Sequence, residues 1–150
     1  MKHKMVNYYK NPASSVDLIV QYNKGIVLVR RKYEPFKDFW ALPGGFLENG
    51  KENLEEAAVR ELFEETDLRA KVDDLRLVGV YSDPRRDPRG HVISHVYKVK
   101  KFSGYLKAKD DAAEVSFFKE LPLKLAFDHD KILRDYFKNL ESGVIKCLIE

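Results

Sequence analysis

The sequence predicts an α/β domain in which a sheet is covered on both faces. Short β-branched runs stand before and after a central amphipathic stretch at Leu54–Thr66, and a second helical spacing closes the chain. Val16–Gln21 and Ile26–Arg31 flank Tyr22-Asn23-Lys24-Gly25, which reads as a hairpin. Phe39 and Trp40 read as packing residues that position the turn Pro43-Gly44-Gly45. Asn53 is a good N-cap with Glu56 three residues on, a capping box that marks where the helix begins. Ala58, Val59, Leu62 and Phe63 are its expected core-facing arc. Leu75–Tyr81 and His91–Lys100 read as strands separated by the polar turn Ser82–Gly90, followed by short strands at Leu106–Ala108 and Val115–Phe118. Across Asp128–Leu140, apolar residues at Ile132, Leu133, Tyr136, Phe137 and Leu140 recur at helical spacing.

A chain of 150 residues is long enough for one core and too short for two ordinary domains, so a single domain over 1–150 is expected. The one cysteine, Cys147, excludes a disulfide framework and makes a reducing cytoplasm the expected setting. No apolar run has the length of a membrane span, and the opening MKHKMVNYYKNP lacks the apolar stretch of a secretory signal. A net charge of +3 is modest for a nucleic-acid binder but suits attraction of anionic small molecules. His91 and His95 share a strand face without a cysteine beside them, and a polar strand face accounts for them. Lys98, Lys100 and Lys101 read as a solvated strand end.

The chemistry is concentrated between Gly44 and Leu68. Glu52, Glu55, Glu56, Glu61, Glu64 and Glu65 lie within fourteen residues, and on a helical wheel Glu61, Glu64 and Glu65 fall within an arc of about 100°. Crowded carboxylates repel one another, and a hard cation with oxygen ligands, Mg²⁺ above all, is their natural neutraliser. Gly44 and Gly45 let backbone approach whatever those carboxylates hold. A second informative stretch, YSDPRRDPRGHVISHVY, carries Arg85, Arg86 and Arg89 on a Pro-punctuated loop, with Asp87 expected to pair with one of them. Guanidinium groups match phosphate oxygens and stack on rings.

The first stretch resembles the box of the Nudix hydrolases, Gly-x5-Glu-x7-Arg-Glu-apolar-x-Glu-Glu-x-Gly-apolar. Gly45, Glu52, Arg60-Glu61-Leu62, Glu64-Glu65 and Asp67-Leu68 carry it. Six residues rather than five separate Gly45 from Glu52, and Asp67 stands where the box has glycine. The arginine loop and Leu125-Ala126-Phe127-Asp128-His129-Asp130 resemble members similar to ADP-ribose pyrophosphatases. The resemblance implies a Nudix-like α/β/α sandwich with a mixed β-sheet. It also implies hydrolysis of a nucleoside diphosphate linked to another moiety, with ADP-ribose giving AMP and ribose 5-phosphate. Mg²⁺ would be the cofactor, with Mn²⁺ substituting. Glu61, Glu64 and Glu65 would be catalytic metal ligands, joined by the Gly44 carbonyl, with Glu52 supporting and Arg60 orienting them. Glu114, or after it Asp111, would complete coordination or deprotonate water. Arg85, Arg86, Arg89 and Phe127 would bind substrate. The expected partner is a small nucleotide, without nucleic acid or membrane, in a homodimer. The alternatives are hydrolysis of 8-oxo-dGTP or another nucleoside triphosphate, and a non-catalytic ADP-ribose sensor.

Overall fold

The structure, a computed structural model, describes residues 11–107 and 114–142, with side chains to residue 140. Two small sheets meet at a break in one extended segment. β1 (Ala13–Ile19) ends just before Val20, and the chain resumes as β2 (Gln21–Tyr22) in the other sheet. β2 turns through Asn23 and Lys24, both at positive φ (46° and 65°), into β3 (Gly25–Arg30). Two consecutive left-handed residues give the turn whose twist suits a tight hairpin. The expected hairpin is present, but its first arm is only β2; β1 belongs elsewhere.

The first sheet has the order β5-β1-β7-β6, with β5 at Gly44–Phe46, β6 at Leu75–Tyr81 and β7 at Val92–Val99. β1 runs parallel to β7, in register from Ala13↔Val92 to Ile19↔Lys98, while β5 and β6 pair antiparallel. In the second sheet β3 is the spine, paired with β2, β4 (Trp40–Ala41) and β8 (Val115–Phe118). The first sheet is therefore mixed and the second antiparallel, and helices α1 (Leu54–Thr66) and α2 (His129–Ser142) complete an α/β/α sandwich. Leu106 and Lys107 form no strand; Lys107 instead donates its N–H to the Thr66 carbonyl and its Nζ to that of Glu64, satisfying carbonyls at the end of α1. Ala108, Asp110, Asp111 and Cys147 lie outside the described residues.

Strand alternation divides the core between the two helices. Val16, Leu18 and Val20 pack with Val27 against Ala57, Ala58 and Leu62 of α1. Ile19, Ile26 and Leu28 pack with Ile132, Leu133 and Tyr136 of α2. Each fully buried aliphatic side chain contributes about 1.5–3 kcal/mol, so this alternation holds both layers in place. Asp17 shares the α2 side with Ile19, and its carboxylate is nearly buried there.

The buried stripe of α1 departs from the expected arc. Ala57, Ala58, Leu62 and Thr66 are buried, whereas Val59 is half-buried and Phe63 is 39% exposed under the Arg69 guanidinium. At about 100° per residue, Glu61 and Glu65 fall between Ala57 and Leu62, inside the inward face. These two glutamates thus point at the sheet rather than along the helix flank. The capping box at Asn53 and Glu56 is formed, and Asp67 caps the other end at φ 66°, donating its N–H to the Phe63 carbonyl. The left-handed position that favours glycine is met here by aspartate, one of the few other residues that tolerate it.

Candidate active site

Gly44 and Gly45 lie directly over the inward-facing glutamates. A Cβ on Gly45 would overlap the Glu61 carboxylate, and one on Gly44 would overlap the Val16 carbonyl. Only glycine permits β5 to pass this close. The Gly44 N–H donates to Glu65 Oε2 at 3.2 Å. Burial, then the neighbouring carboxylates of Glu61 and Asp17, push the Glu65 carboxyl up to about 8, against the pull of that N–H. Burial also raises Glu61.

Arg60 is the counter-charge of this end. Its Nε and Nη2 grip Glu52 at 2.9 and 2.6 Å, and its Nη1 reaches Glu61 at 2.9 Å and Glu64 at 3.2 Å. The fork holds Glu52 down to about 2. The Glu48 N–H donates to Glu52 as well, so the loop with one extra residue still delivers Glu52 to Arg60.

Above the glutamates opens a cleft of about 340 Å³. Gly44, Gly45, Glu64, Glu65, Glu114, Arg86, Arg89, Phe127 and His129 are among its lining residues. Glu114 points in from the start of β8, with both oxygens 3.0 Å from Arg30 Nη1. The arginine loop divides. Arg89 is held by Asp87 at 3.1 and 2.8 Å, and its guanidinium lies 4.8 Å from the Phe46 ring and 5.4 Å from that of Phe127. Arg86 is 3% exposed and has Nε and Nη2 on Asp128 at 3.0 and 2.7 Å. Arg85 does not join them: it is 90% exposed, pairs with Asp83, and is not part of the cleft wall.

Beneath the loop is a buried polar network. Asp17 accepts a short hydrogen bond from Ser94, stands 3.5 Å from His129 Nε2 and lies 4.0 Å from Arg86. His129 Nδ1 accepts from the Leu42 N–H at 3.0 Å, which leaves the neutral ring's proton on Nε2, facing Asp17. Every buried side-chain nitrogen and oxygen among the described residues has a partner.

The NUDIX domain model matches residues 11–140 of this sequence. The chain belongs to the Nudix family. It is 53% identical over 137 residues to the ADP-ribose pyrophosphatase of Methanocaldococcus jannaschii, covering 90% of this chain and 79% of that protein. An ADPR-responsive transcriptional repressor of Acinetobacter baylyi is 31% identical over 143 residues, and the chain spans 56% of its length. The structure also superposes on a bifunctional NMN adenylyltransferase/ADP-ribose pyrophosphatase from Francisella tularensis, crystallised with AMP and a manganese ion. There the TM-score is 0.73 at 33% identity, with 88% of this chain and 43% of that chain covered. Among Nudix proteins this chain stands close to the ADP-ribose pyrophosphatase branch, and a Nudix hydrolase fold is that of a pyrophosphohydrolase.

Nudix enzymes typically require Mg²⁺. Among the described residues, no three carboxylate, histidine or cysteine side chains stand close enough to enclose an ion as they lie, since Arg60 engages Glu61 and Glu64. The donor set nonetheless fits a hard cation: two buried carboxylates are crowded beneath glycines, with Glu64 beside them. His91 and His95 bond to the carbonyls of Ser82 and Ser15. Lys98 is not solvated: it is half-buried, its Nζ donates to Gln21 Oε1 at 2.6 Å, and burial lowers it to about 8. Sequence reasoning passed over Asp17, hidden in an apolar run, and Arg31, which also lines the cleft.

Proposed function

We propose that this protein hydrolyses ADP-ribose to AMP and ribose 5-phosphate, with Mg²⁺, or Mn²⁺ in its place, as cofactor. The observation that carries this reading is that one cleft brings together buried Glu65 and its neighbour Glu64 with the guanidinium–aromatic pair of Arg89 and Phe127. The identity to the archaeal ADP-ribose pyrophosphatase supports the substrate.

Glu61, Glu64 and Glu65, with the Gly44 carbonyl, would hold the metal, which when bound neutralises diphosphate oxygens and acidifies water. Arg60 orients Glu61 and Glu64 and is itself fixed by Glu52. Burial and the carboxylates of Glu61 and Asp17 disfavour the charged form of Glu65, a crowding of charge that a bound cation would relieve. Glu114 faces the same space but has both oxygens on Arg30, which suits it to a supporting role. Attack of water oxygen on one phosphorus, with its proton passing to a carboxylate, breaks the bridging P–O bond and releases two phosphate monoesters. Arg89 and Phe127 would seat the substrate, and Arg86 would steady both from beneath through Asp128. The protein would act in the cytoplasm as a homodimer, without nucleic acid or membrane; among the described residues no helix is long and apolar enough to cross a membrane.

The test is kcat/KM of the wild type for ADP-ribose and for 8-oxo-dGTP, with products separated by chromatography. Preference for 8-oxo-dGTP overturns the substrate assignment. Tight ADP-ribose binding without turnover at any Mg²⁺ concentration would favour the sensor reading, to which the similarity to the repressor gives some support.

A further inference from the structure

Arg31 follows Arg30, the last residue of β3, and lines the same cleft. Its backbone N–H donates to the Phe39 carbonyl at 2.9 Å, and its own carbonyl accepts from Asp38 at 2.8 Å, closing the neck of the 31–39 loop. Its Nε donates to the Pro35 carbonyl at 2.7 Å, and its guanidinium lies 4.8 Å from the centre of the Phe127 ring. These contacts fix the group and leave both terminal amino groups, Nη1 and Nη2, uncommitted among the described residues.

The other three guanidiniums lining the cleft each have a carboxylate: Arg30 has Glu114, Arg86 has Asp128 and Arg89 has Asp87. Arg31 has none within ion-pair distance among the described residues; Asp87, Glu65 and Asp17 act on it only through space. Burial and the nearby Arg89 disfavour its charge, yet arginine stays protonated. A half-buried cation fixed in place without a counter-charge costs stability unless something supplies that charge.

We infer that Arg31 is the cleft's receptor for a phosphate of the substrate and thereby a determinant of specificity for phosphate-bearing ligands. Its two terminal amino groups form an end-on fork that matches two oxygens of one phosphoryl group. The face of Phe127 packs against that guanidinium, and Glu65 lines the same cleft. This inference deepens the proposed hydrolase reading and rests on it for the identity of the ligand, though not for its phosphate.

Titration calorimetry at fixed free Mg²⁺ tests it, with methylenediphosphonate, a non-hydrolysable diphosphate, and adenosine as separate probes. Wild type, Arg31→Lys and Arg31→Gln are compared after their thermal unfolding has been matched. We expect Arg31→Gln to weaken diphosphonate binding about 10- to 100-fold, the scale of a lost charge-assisted contact. Arg31→Lys should lose only a few-fold, and adenosine should bind all three alike. If Arg31 merely braces the loop through Pro35, lysine and glutamine will fail together and adenosine will weaken with them. That pattern, unchanged diphosphonate binding in Arg31→Gln, or no measurable diphosphonate binding to the wild type overturns the inference. Neither probe is turned over, so the result stands whether or not ADP-ribose proves to be the substrate.

Discussion

Arg86 grips Asp128 through both carboxylate oxygens, at 3.0 and 2.7 Å, and so fastens the loop between β6 and β7 to the residue preceding α2. The arginine is 3% exposed and the aspartate 18%. Removing one partner strands a buried charge. Arg86→Ala is therefore expected to cost about 3–5 kcal/mol of stability by chemical denaturation. The double variant Arg86→Met/Asp128→Leu should recover most of that loss. A single variant as stable as the wild type would show that the pair does not clamp the loop.

Glu65→Gln keeps size and removes a charge from the crowded inward face of α1. A drop in kcat of about two to four orders of magnitude is expected, within the range for loss of a base or of electrostatic stabilisation. The fold should be at least as stable, because repulsion from Glu61 and Asp17 is relieved. Normal turnover in this variant would remove Glu65 from the mechanism.

Metal removal is the plainest check on the carboxylate assignment. EDTA should abolish activity, and Mg²⁺ or Mn²⁺ should restore it. Full turnover in rigorously chelated buffer would exclude the proposed role of Glu61, Glu64 and Glu65.

Gly45→Ala places a methyl group against the Glu61 carboxylate. Either β5 or the glutamate must move, and an overpacking cost of about 1–3 kcal/mol is expected. Because Glu61 is the obstructed group, apparent Mg²⁺ affinity in an activity titration should fall as well. Unchanged stability and metal response would mean that β5 yields freely.

Lys98 supplies the pH prediction. Its folded value, about 8, lies below its ordinary one because burial disfavours the ammonium, with Arg76 adding repulsion. Between about 8 and the unfolded value, near 10.4, the unfolded chain binds more protons, so this group's contribution makes stability rise with pH. Below 8 the cost of burying the charge is fully present. Lys98→Met should therefore gain stability relative to wild type at pH 7 and lose that advantage above pH 10. Equal gains at both pH values would mean that packing against Tyr136, not charge, sets the difference.

What was legible in the sequence was local. Asn53 and Glu56 bond each other three residues apart, Asp67 caps its own helix, and the hairpin turn needs only Asn23 and Lys24. The edges of β6 and β8 likewise follow from adjacent residues. Features settled by distant partners were hidden. Nothing near Val20 announces that the hydrogen bonding passes to the other sheet there. Arg30 and Arg31 are identical in type and both line the cleft, and only Glu114 and the closed 31–39 loop give one a carboxylate and leave the other without one. The inward turn of Glu61 and Glu65 was obscured by Phe63, whose hydrophobicity drew the expected core face round the helix, while Arg69 covers it outside the core.

The parallel pairing of β1 with β7 joins residues 79 positions apart, Ala13 with Val92. It also brings Ser94 beneath Asp17 and His95 onto the Ser15 carbonyl. The floor of the cleft is thus made by strands far apart in sequence, while the glutamate helix is capped by its own neighbours. Long loops must close before such contacts form, so they belong to the slow part of folding. In kinetic terms the acidic helix can exist before there is anything for it to act on. A nascent chain released before β7 has the residues of the Nudix box but no cleft floor, and competence to bind arrives as one late event.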